Sequence, residues 1–203
     1  MSFTIAGIHT GIGKTVCAAV ICQALGYDYW KPVQAGELEN SDSIFIKRNV
    51  NNPNCFIHLE RYRLTTPASP HYAAQQDGVE IKPNDFVLPH TTNKLIVETA
   101  GGIMSPFATG FLNIDLMQQF NLPVIIVSNN YLGSINHTLL TVAALRQKNI
   151  QISGMVFCGD VVEPTRKYIM QYTKLPLLFS IPQFEKIDGD TIAAFAKMVS
   201  INL

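Results

Sequence analysis

Short runs rich in Val, Ile and Leu alternate along this chain with stretches whose apolar residues recur at helical spacing. The strand-like runs are Phe3 to Ala6, Tyr29 to Val33, Leu95 to Glu98, Pro123 to Ser128, Ile152 to Phe157 and Leu177 to Ile181. Helical patterns lie between them, over Lys14 to Leu25, about Ser41 to Arg48, Ser69 to Gln76, Ile114 to Phe120, Ile135 to Gln147, Pro164 to Tyr172 and Thr191 to Val199. Asp188 or Asp190 is placed to cap the last of these. Dense branched residues without polar alternation fit strands covered on both faces. The βαβα order therefore predicts an α/β fold, a mostly parallel sheet with helices on both faces. In such sheets ligands bind beyond the carboxyl ends of the strands, so the residues just after each strand carry the most weight. Asn49 to Thr66 and Lys82 to Asn93 show neither period and read as loops or short irregular elements. No repeat or boundary interrupts the pattern, and residues 1–203 read as one domain.

Composition narrows the class. A length of 203 residues fits a single core. With 47% hydrophobic residues and a mean hydropathy of +0.16, a packed interior is expected. Fifteen Lys and Arg balance fifteen Asp and Glu, and no basic run exceeds two residues. That argues against a nucleic-acid or anionic-membrane partner. The chain opens without a basic segment leading into a long apolar one, so no signal peptide is expected. Its longest apolar runs, such as Leu122 to Val127, fall well short of the roughly 18 residues of a membrane helix. A soluble, cytoplasmic protein is the expectation. Cys17, Cys22, Cys55 and Cys158 form no C-x-x-C pair and read as buried, reduced thiols. His9, His58, His71, His90 and His137 show no zinc-ligand spacing.

One stretch changes the picture. Gly7-Ile8-His9-Thr10-Gly11-Ile12-Gly13-Lys14-Thr15 joins the first strand to the first helix. Glycines let a backbone curl with its N–H groups turned inward on an anion, and the helix start adds free N–H groups and partial positive charge. Lys14 adds a full charge, and the Thr15 hydroxyl is placed to hold magnesium. The spacing departs from the general G-x-x-x-x-G-K-[ST] pattern: Ile8 stands at its first glycine, and Gly7 comes one residue earlier. Strand, glycines, Lys-Thr and helix in this order predict a nucleotide phosphate site on a P-loop NTPase-like fold. The competing reading is an ordinary strand–turn–helix junction.

Other strand tips carry candidate chemistry. Glu98 ends an apolar strand and is followed by Thr99-Ala100-Gly101-Gly102. A carboxylate there suits a magnesium anchor, since magnesium prefers hard oxygen ligands; alone it would read as a solvated strand end. Lys31 precedes Pro32 and ends the second strand, held at its tip by proline and the later Gly36. A second cation there suits an anionic substrate or transition state, though a surface lysine fits equally. Asp42 follows Asn40-Ser41, either as a first-turn acid behind a capping residue or as a magnesium-shell carboxylate. Gly133-Ser134-Ile135-Asn136-His137 opens a helix. Its N–H groups could receive a carboxylate or phosphate, or be capped by Ser134 or Asn136.

The ordered set of motifs resembles dethiobiotin synthetase. It comprises Gly-x-x-Thr-x-x-Gly-Lys-Thr from Gly7, Lys-Pro-Val-x-x-Gly from Lys31, Asn-Ser-Asp from Asn40, Ser-Pro-His from Ser69, Val-Glu-x-Ala-Gly-Gly from Val97 and Leu-Gly-x-Ile-Asn-His from Leu132. The matches run from Phe3 to about Pro182. The resemblance implies a carbon–nitrogen ligase of biotin synthesis that uses ATP, magnesium, CO2 or bicarbonate and 7,8-diaminopelargonic acid. It implies that Thr10 and Lys14 contact phosphate and substrate, and that Lys31 contacts the carbamate and the developing phosphoryl charge. Gly11, Ile12, Gly13 and Val16 would line the nucleotide phosphates, with Glu98, Thr99, Ala100 and Gly101 nearby. Thr15, Asp42 and Glu98 would bind magnesium. Cys158 with Pro182, Gln183 and Phe184 would border the base. Ala35 would lie near the substrate, and Ser134, Ile135 and Asn136 would receive its carboxylate across a homodimer interface.

Three positions depart from the family pattern. Gly11 stands where an acidic residue is common, and Ala35 where a hydroxyl is common. Cys158 stands where an asparagine commonly reads the base. A thiol offers no paired donor and acceptor, so other nucleoside triphosphates are expected to compete with ATP. Two alternatives stay in view: a nucleotide-switched partition or assembly ATPase of the same fold, and a degenerate paralogue that binds nucleotide without turnover.

Overall fold

The apolar runs pair into one sheet. The computed structural model describes residues 1–201 and 203. In chain order its elements are β1 (Phe3–Gly7), α1 (Lys14–Leu25), β2 (Asp28–Trp30), β3 (Val33–Ala35), α2 (Asp42–Asn49), β4 (Ile57–His58), β5 (Tyr62–Leu64), α3 (Pro70–Asp77), β6 (Leu95–Gly102), β7 (Pro106–Ala108), β8 (Phe111–Leu112), α4 (Asn113–Phe120), β9 (Val124–Asn129), α5 (Ser134–Gln147), β10 (Ile152–Cys158), α6 (Glu163–Thr173), β11 (Leu177–Ile181) and α7 (Gly189–Met198). Seven strands form the main sheet in the order β11-β10-β9-β1-β6-β2-β4. Each neighbouring pair in it is parallel. Two small sheets flank it, β3 with β5 in parallel and β7 with β8 antiparallel.

Side chains alternate between the two faces of a strand, and β6 shows where each face goes. Ile96 joins a cluster with Cys17 to Cys22 of α1, the β9 run Val124 to Val127, and Ile192 of α7. Leu95 and Val97 join the opposite cluster, with Trp30, Phe86, Phe107 and Leu116. The sheet is covered on both faces, which is why its strands read as unbroken apolar runs.

Four details differ from the sequence reading. The second strand stops at Trp30, and the chain re-enters as β3 in a separate sheet. Pro32 lies at the break; it has no N–H to donate to a ladder. The stretch read as irregular, Asn49 to Thr66, holds β4 and β5, strands too short to show an alternation. The β7 and β8 pair was likewise not expected. Cys55 is only half-buried, whereas Cys17, Cys22 and Cys158 are buried; all four are free thiols. Asp188 is the cap of α7, its Oδ1 accepting from the Thr191 N–H at 3.0 Å. Among the described residues no helix is long and apolar enough to cross a membrane.

Candidate active site

The phosphate-type loop leaves β1 at Gly7, the central region of the sheet. A Cβ on Gly7 would lie 2.8 Å from the His9 carbonyl oxygen and 2.9 Å from Ile12 Cδ1, so the loop can fold back only over a glycine. Gly13 precedes α1 in the left-handed region, φ 96°. A Cβ there would meet both Cβ and Sγ of Cys158 at 2.9 Å, so the loop rests directly on the tip of β10. Among the described residues the N–H groups of Gly11, Ile12 and Gly13 donate to no backbone carbonyl. They are therefore available to an anion at the start of α1. Lys14 folds back across the loop, its Nζ donating to the His9 carbonyl at 3.2 Å. Burial pulls the Lys14 pKa down to about 8, partly opposed by Glu98 and reinforced by Lys31.

The two expected carboxylates meet at Thr15. Its Oγ1 lies 2.9 Å from Asp42 Oδ1 and 2.8 Å from Glu98 Oε1. Lys31 spans the same pair: its Nζ is bonded to Asp42 Oδ2 and lies 3.6 Å from Glu98 Oε1. Glu98 and Lys31 are both buried, so neither is the solvated strand-end residue that sequence alone allowed. Supporting bonds fix the carboxylates. The Tyr29 hydroxyl donates to Glu98 Oε2 at 2.8 Å. Gln34 Oε1 accepts the Asp42 N–H at 3.3 Å. Ser41 caps α2, its Oγ accepting from the Ile44 N–H at 3.3 Å, and Asp42 occupies the first turn. Asp42 thus serves the helix start and the carboxylate pair at once.

Two cavities open on either side of the loop. One, of ≈ 370 Å³, is lined by His9, Thr10, Gly102 to Ser105, His137, Leu140 and neighbours. The other, of ≈ 300 Å³, is lined by Gly11, Ile12, Gly13, Thr15 and Val16 on one side and by Asn129, Cys158 and Ile181 to Phe184 on the other. Pro182, Gln183 and Phe184 thus face the loop from just beyond the end of β11. Thr99 lines neither cavity; it is fully buried, and its hydroxyl donates to the Ile5 carbonyl at 3.0 Å. Ala100 to Gly102 is held by Asn113, whose Nδ2 donates to the carbonyls of Ala100 and Gly102, both at 3.0 Å. Ala35 sits on β3, half-buried, and lines neither cavity.

At the start of α5 the cap is Gly133, φ 100°, with no side-chain bond, so neither Ser134 nor Asn136 caps the helix. The Ser134 N–H donates to the Tyr131 carbonyl at 2.9 Å. Those of Ile135 and Asn136 belong to the first turn, where a helix has no intrahelical acceptor to offer. The three residues do not line the cavity beside His137. Sequence reasoning missed Tyr29, Gln34, Asn113 and Asn129. Asn129 was within reach, because it ends a strand of the parallel sheet, where ligands gather. Tyr29 and Asn113 act through bonds to residues outside their own elements, and Gln34 through the Asp42 N–H beyond an intervening turn; none carried a motif.

Residues 2–191 match a family model described as an AAA domain. The chain is 43% identical over 193 residues to the ATP-dependent dethiobiotin synthetase BioD of Chlamydia pneumoniae, covering 95% of this chain and 86% of that one. It is 43% identical over 195 residues to the protein of the same name from Cytophaga hutchinsonii, covering 96% and 94%. Among solved structures, a ParA family ATPase from Chlorobium tepidum superposes with a TM-score of 0.57 at 12% identity, covering 98% and 99%. The MinC:MinD cell division protein complex of Aquifex aeolicus gives 0.54 at 16%, covering 100% and 98%. At such identities the structural likeness concerns the fold alone.

Proposed function

The chain belongs to the family of ATP-dependent dethiobiotin synthetases, and we propose that it makes dethiobiotin as a carbon–nitrogen ligase of biotin biosynthesis. Its substrates are 7,8-diaminopelargonic acid, CO2 and ATP. One amine adds to CO2 and loses a proton, giving a carbamate. A carbamate oxygen attacks the γ-phosphorus and releases ADP. The second amine attacks the resulting mixed anhydride, expels phosphate and closes the ureido ring.

The observation that carries this reading is Lys31, a buried ammonium between Asp42 and Glu98 at the edge of the phosphate loop. Two anions must be brought together in the phosphoryl transfer, and their repulsion is the main obstacle. Lys14 answers the triphosphate from the loop, and Lys31 answers the carbamate from the tip of β2. The free N–H groups of Gly11 to Gly13 hold the phosphates in line. Thr10, on the wall of the cavity beside His9, faces the substrate.

Thr15, Asp42 and Glu98 would hold magnesium. They converge as hard oxygen donors around one hydroxyl, and two carboxylates suit an ion that keeps several waters. When bound, it supplies neutralisation of phosphate charge. The uncapped start of α5 supports a role for Ser134, Ile135 and Asn136 in receiving the substrate carboxylate of a neighbouring subunit in a cytoplasmic homodimer.

The experiment is phosphate release with ATP, magnesium and bicarbonate, with and without the diamine. Release is expected only with the diamine; diamine-independent hydrolysis would favour a nucleotide switch. Lys31→Ala is expected to lose nearly all turnover while calorimetry still detects nucleotide binding. Near-normal turnover in that variant would remove Lys31 from the mechanism.

A further inference from the structure

The cavity between the loop and the end of β11 offers a largely apolar wall from Ile181, Pro182, Phe184 and Ile187. The group facing that wall at the tip of β10 is a thiol. Cys158 is buried, and its Sγ lies 3.8 Å from the Gly13 carbonyl, turned toward the loop. Its neighbour across the ladder is Asn129, paired in register at the end of β9. Asn129 also lines the cavity, and it carries the donor and acceptor pair that the thiol lacks.

The Asn129 carboxamide is held in place. Its Oδ1 accepts the Asn130 N–H at 2.6 Å, which distinguishes the oxygen end from the nitrogen end. Its other face lies against Gly159, the residue after Cys158. A Cβ on Gly159 would sit 3.0 Å from Asn129 Oδ1 and 3.4 Å from Nδ2, and the backbone there has φ +82°. Gly159 therefore makes the room that the amide fills. Among the described residues Nδ2 donates to no protein group, and Oδ1 keeps a second lone pair. The other amide on the cavity wall, Gln183, is exposed, and among the described residues no protein group is bonded to its side chain.

We infer that Asn129 reads the edge of the nucleobase, with Nδ2 donating to a ring nitrogen and Oδ1 accepting from an exocyclic amine. That pattern fits adenine, whose amine and neighbouring ring nitrogens offer one donor beside an acceptor. It fits hypoxanthine poorly, because a carbonyl replaces the amine and two acceptors would then face each other. Base reading has moved from the tip of β10 to the tip of β9, and ATP is preferred although Cys158 cannot select it. The inference rests on the proposed function only in taking this cavity as the nucleotide site.

The test is calorimetric affinity for magnesium–ATP against magnesium–ITP, in the wild type, Asn129→Ala, Asn129→Ser and Gln183→Ala. Each preparation yields its own ratio, so a partly folded variant still reports. The wild type and Gln183→Ala should favour ATP by about tenfold or more, as expected of a bidentate contact. Both Asn129 variants should fall to about threefold or less. A wild type without preference, an Asn129 variant that keeps it, or a preference lost in Gln183→Ala overturns the inference. Failure of diamine-dependent phosphate release would sink the proposed reaction separately, leaving the affinity ratios to judge Asn129.

Discussion

Lys14, the proposed phosphate contact, is expected to destabilise the nucleotide-free protein. Its side chain is buried, and the cost of burying the charge outweighs the help of Glu98, taking the pKa from an ordinary 10.5 to about 8. At about 1.4 kcal/mol per pH unit, that lowering is a penalty of roughly 3 kcal/mol. The bond to the His9 carbonyl offsets about 1 kcal/mol of it. Lys14→Met keeps the length and packing of the side chain and removes the charge. Urea denaturation of the nucleotide-free variant at pH 7 should therefore show a gain of roughly 2 kcal/mol over the wild type. Below pH 8 the folded and unfolded wild-type chains both carry the proton, and the penalty is full. Between about 8 and 10.5 the unfolded chain keeps a proton that the folded one has lost, so wild-type stability rises and the gap narrows. Above 10.5 the whole penalty of roughly 3 kcal/mol is gone and the order inverts, the wild type leading by about the 1 kcal/mol of its bond to His9. Saturating magnesium–ATP should reverse the order, because the wild type gains about 2.7 kcal/mol at a hundred times the dissociation constant and the variant gains little. A nucleotide-free Lys14→Met less stable than wild type at pH 7, or a gap that does not narrow with pH, would refute the reasoning.

Two supporting residues give further tests. Tyr29→Phe removes the bond to Glu98 Oε2, and the magnesium concentration giving half-maximal phosphate release should rise about tenfold or more. An unchanged magnesium titration would show that Tyr29 only packs. Ser41→Ala removes the cap of α2 and should cost about 1 kcal/mol in thermal denaturation, with weaker magnesium dependence because Asp42 sits in the turn it fixes. A loss of stability with no change in magnesium response would separate the cap from the site.

The loop from Gly7 to Thr15 was legible because its chemistry is local: strand, glycines, Lys-Thr and helix follow one another without interruption. Glu98 and Asp42 were legible as candidates, because each stands just beyond an apolar run or at a helix start. Their meeting at Thr15 was not, since it depends on β1 lying beside β6 and on α2 turning back over the sheet. Lys31 shows the same limit. Its sequence neighbours could not tell a solvated lysine from a buried one; the break at Pro32 and the two carboxylates decide it. β4 and β5 escaped because two or three residues carry no period, and β4 shows itself only once its ladder to β2 is seen. Asn129 was passed over because the apolar run was read as ending at Ser128, one residue before the amide reaches the cavity.

Fold alone does not separate a ligase from a switch, since both are built on this sheet; the difference lies in what the strand tips hold. The stretch that leads into the loop, Ala6 to His9, carries no lysine. The second ammonium comes instead from Lys31, beyond β2, tied to Asp42 and Glu98. The charges of Lys14, Lys31, Asp42 and Glu98 cancel, so the free site can be buried without net charge, and each awaits a different partner. A switch has to hold a phosphate and register its loss, which Lys14 and the loop can do. An ammonium approaching from the neighbouring strand tip is useful when a second anion must form there and survive beside the first. A carbamate is such an anion, and the proposed ligase reading gives the buried Lys31 that task.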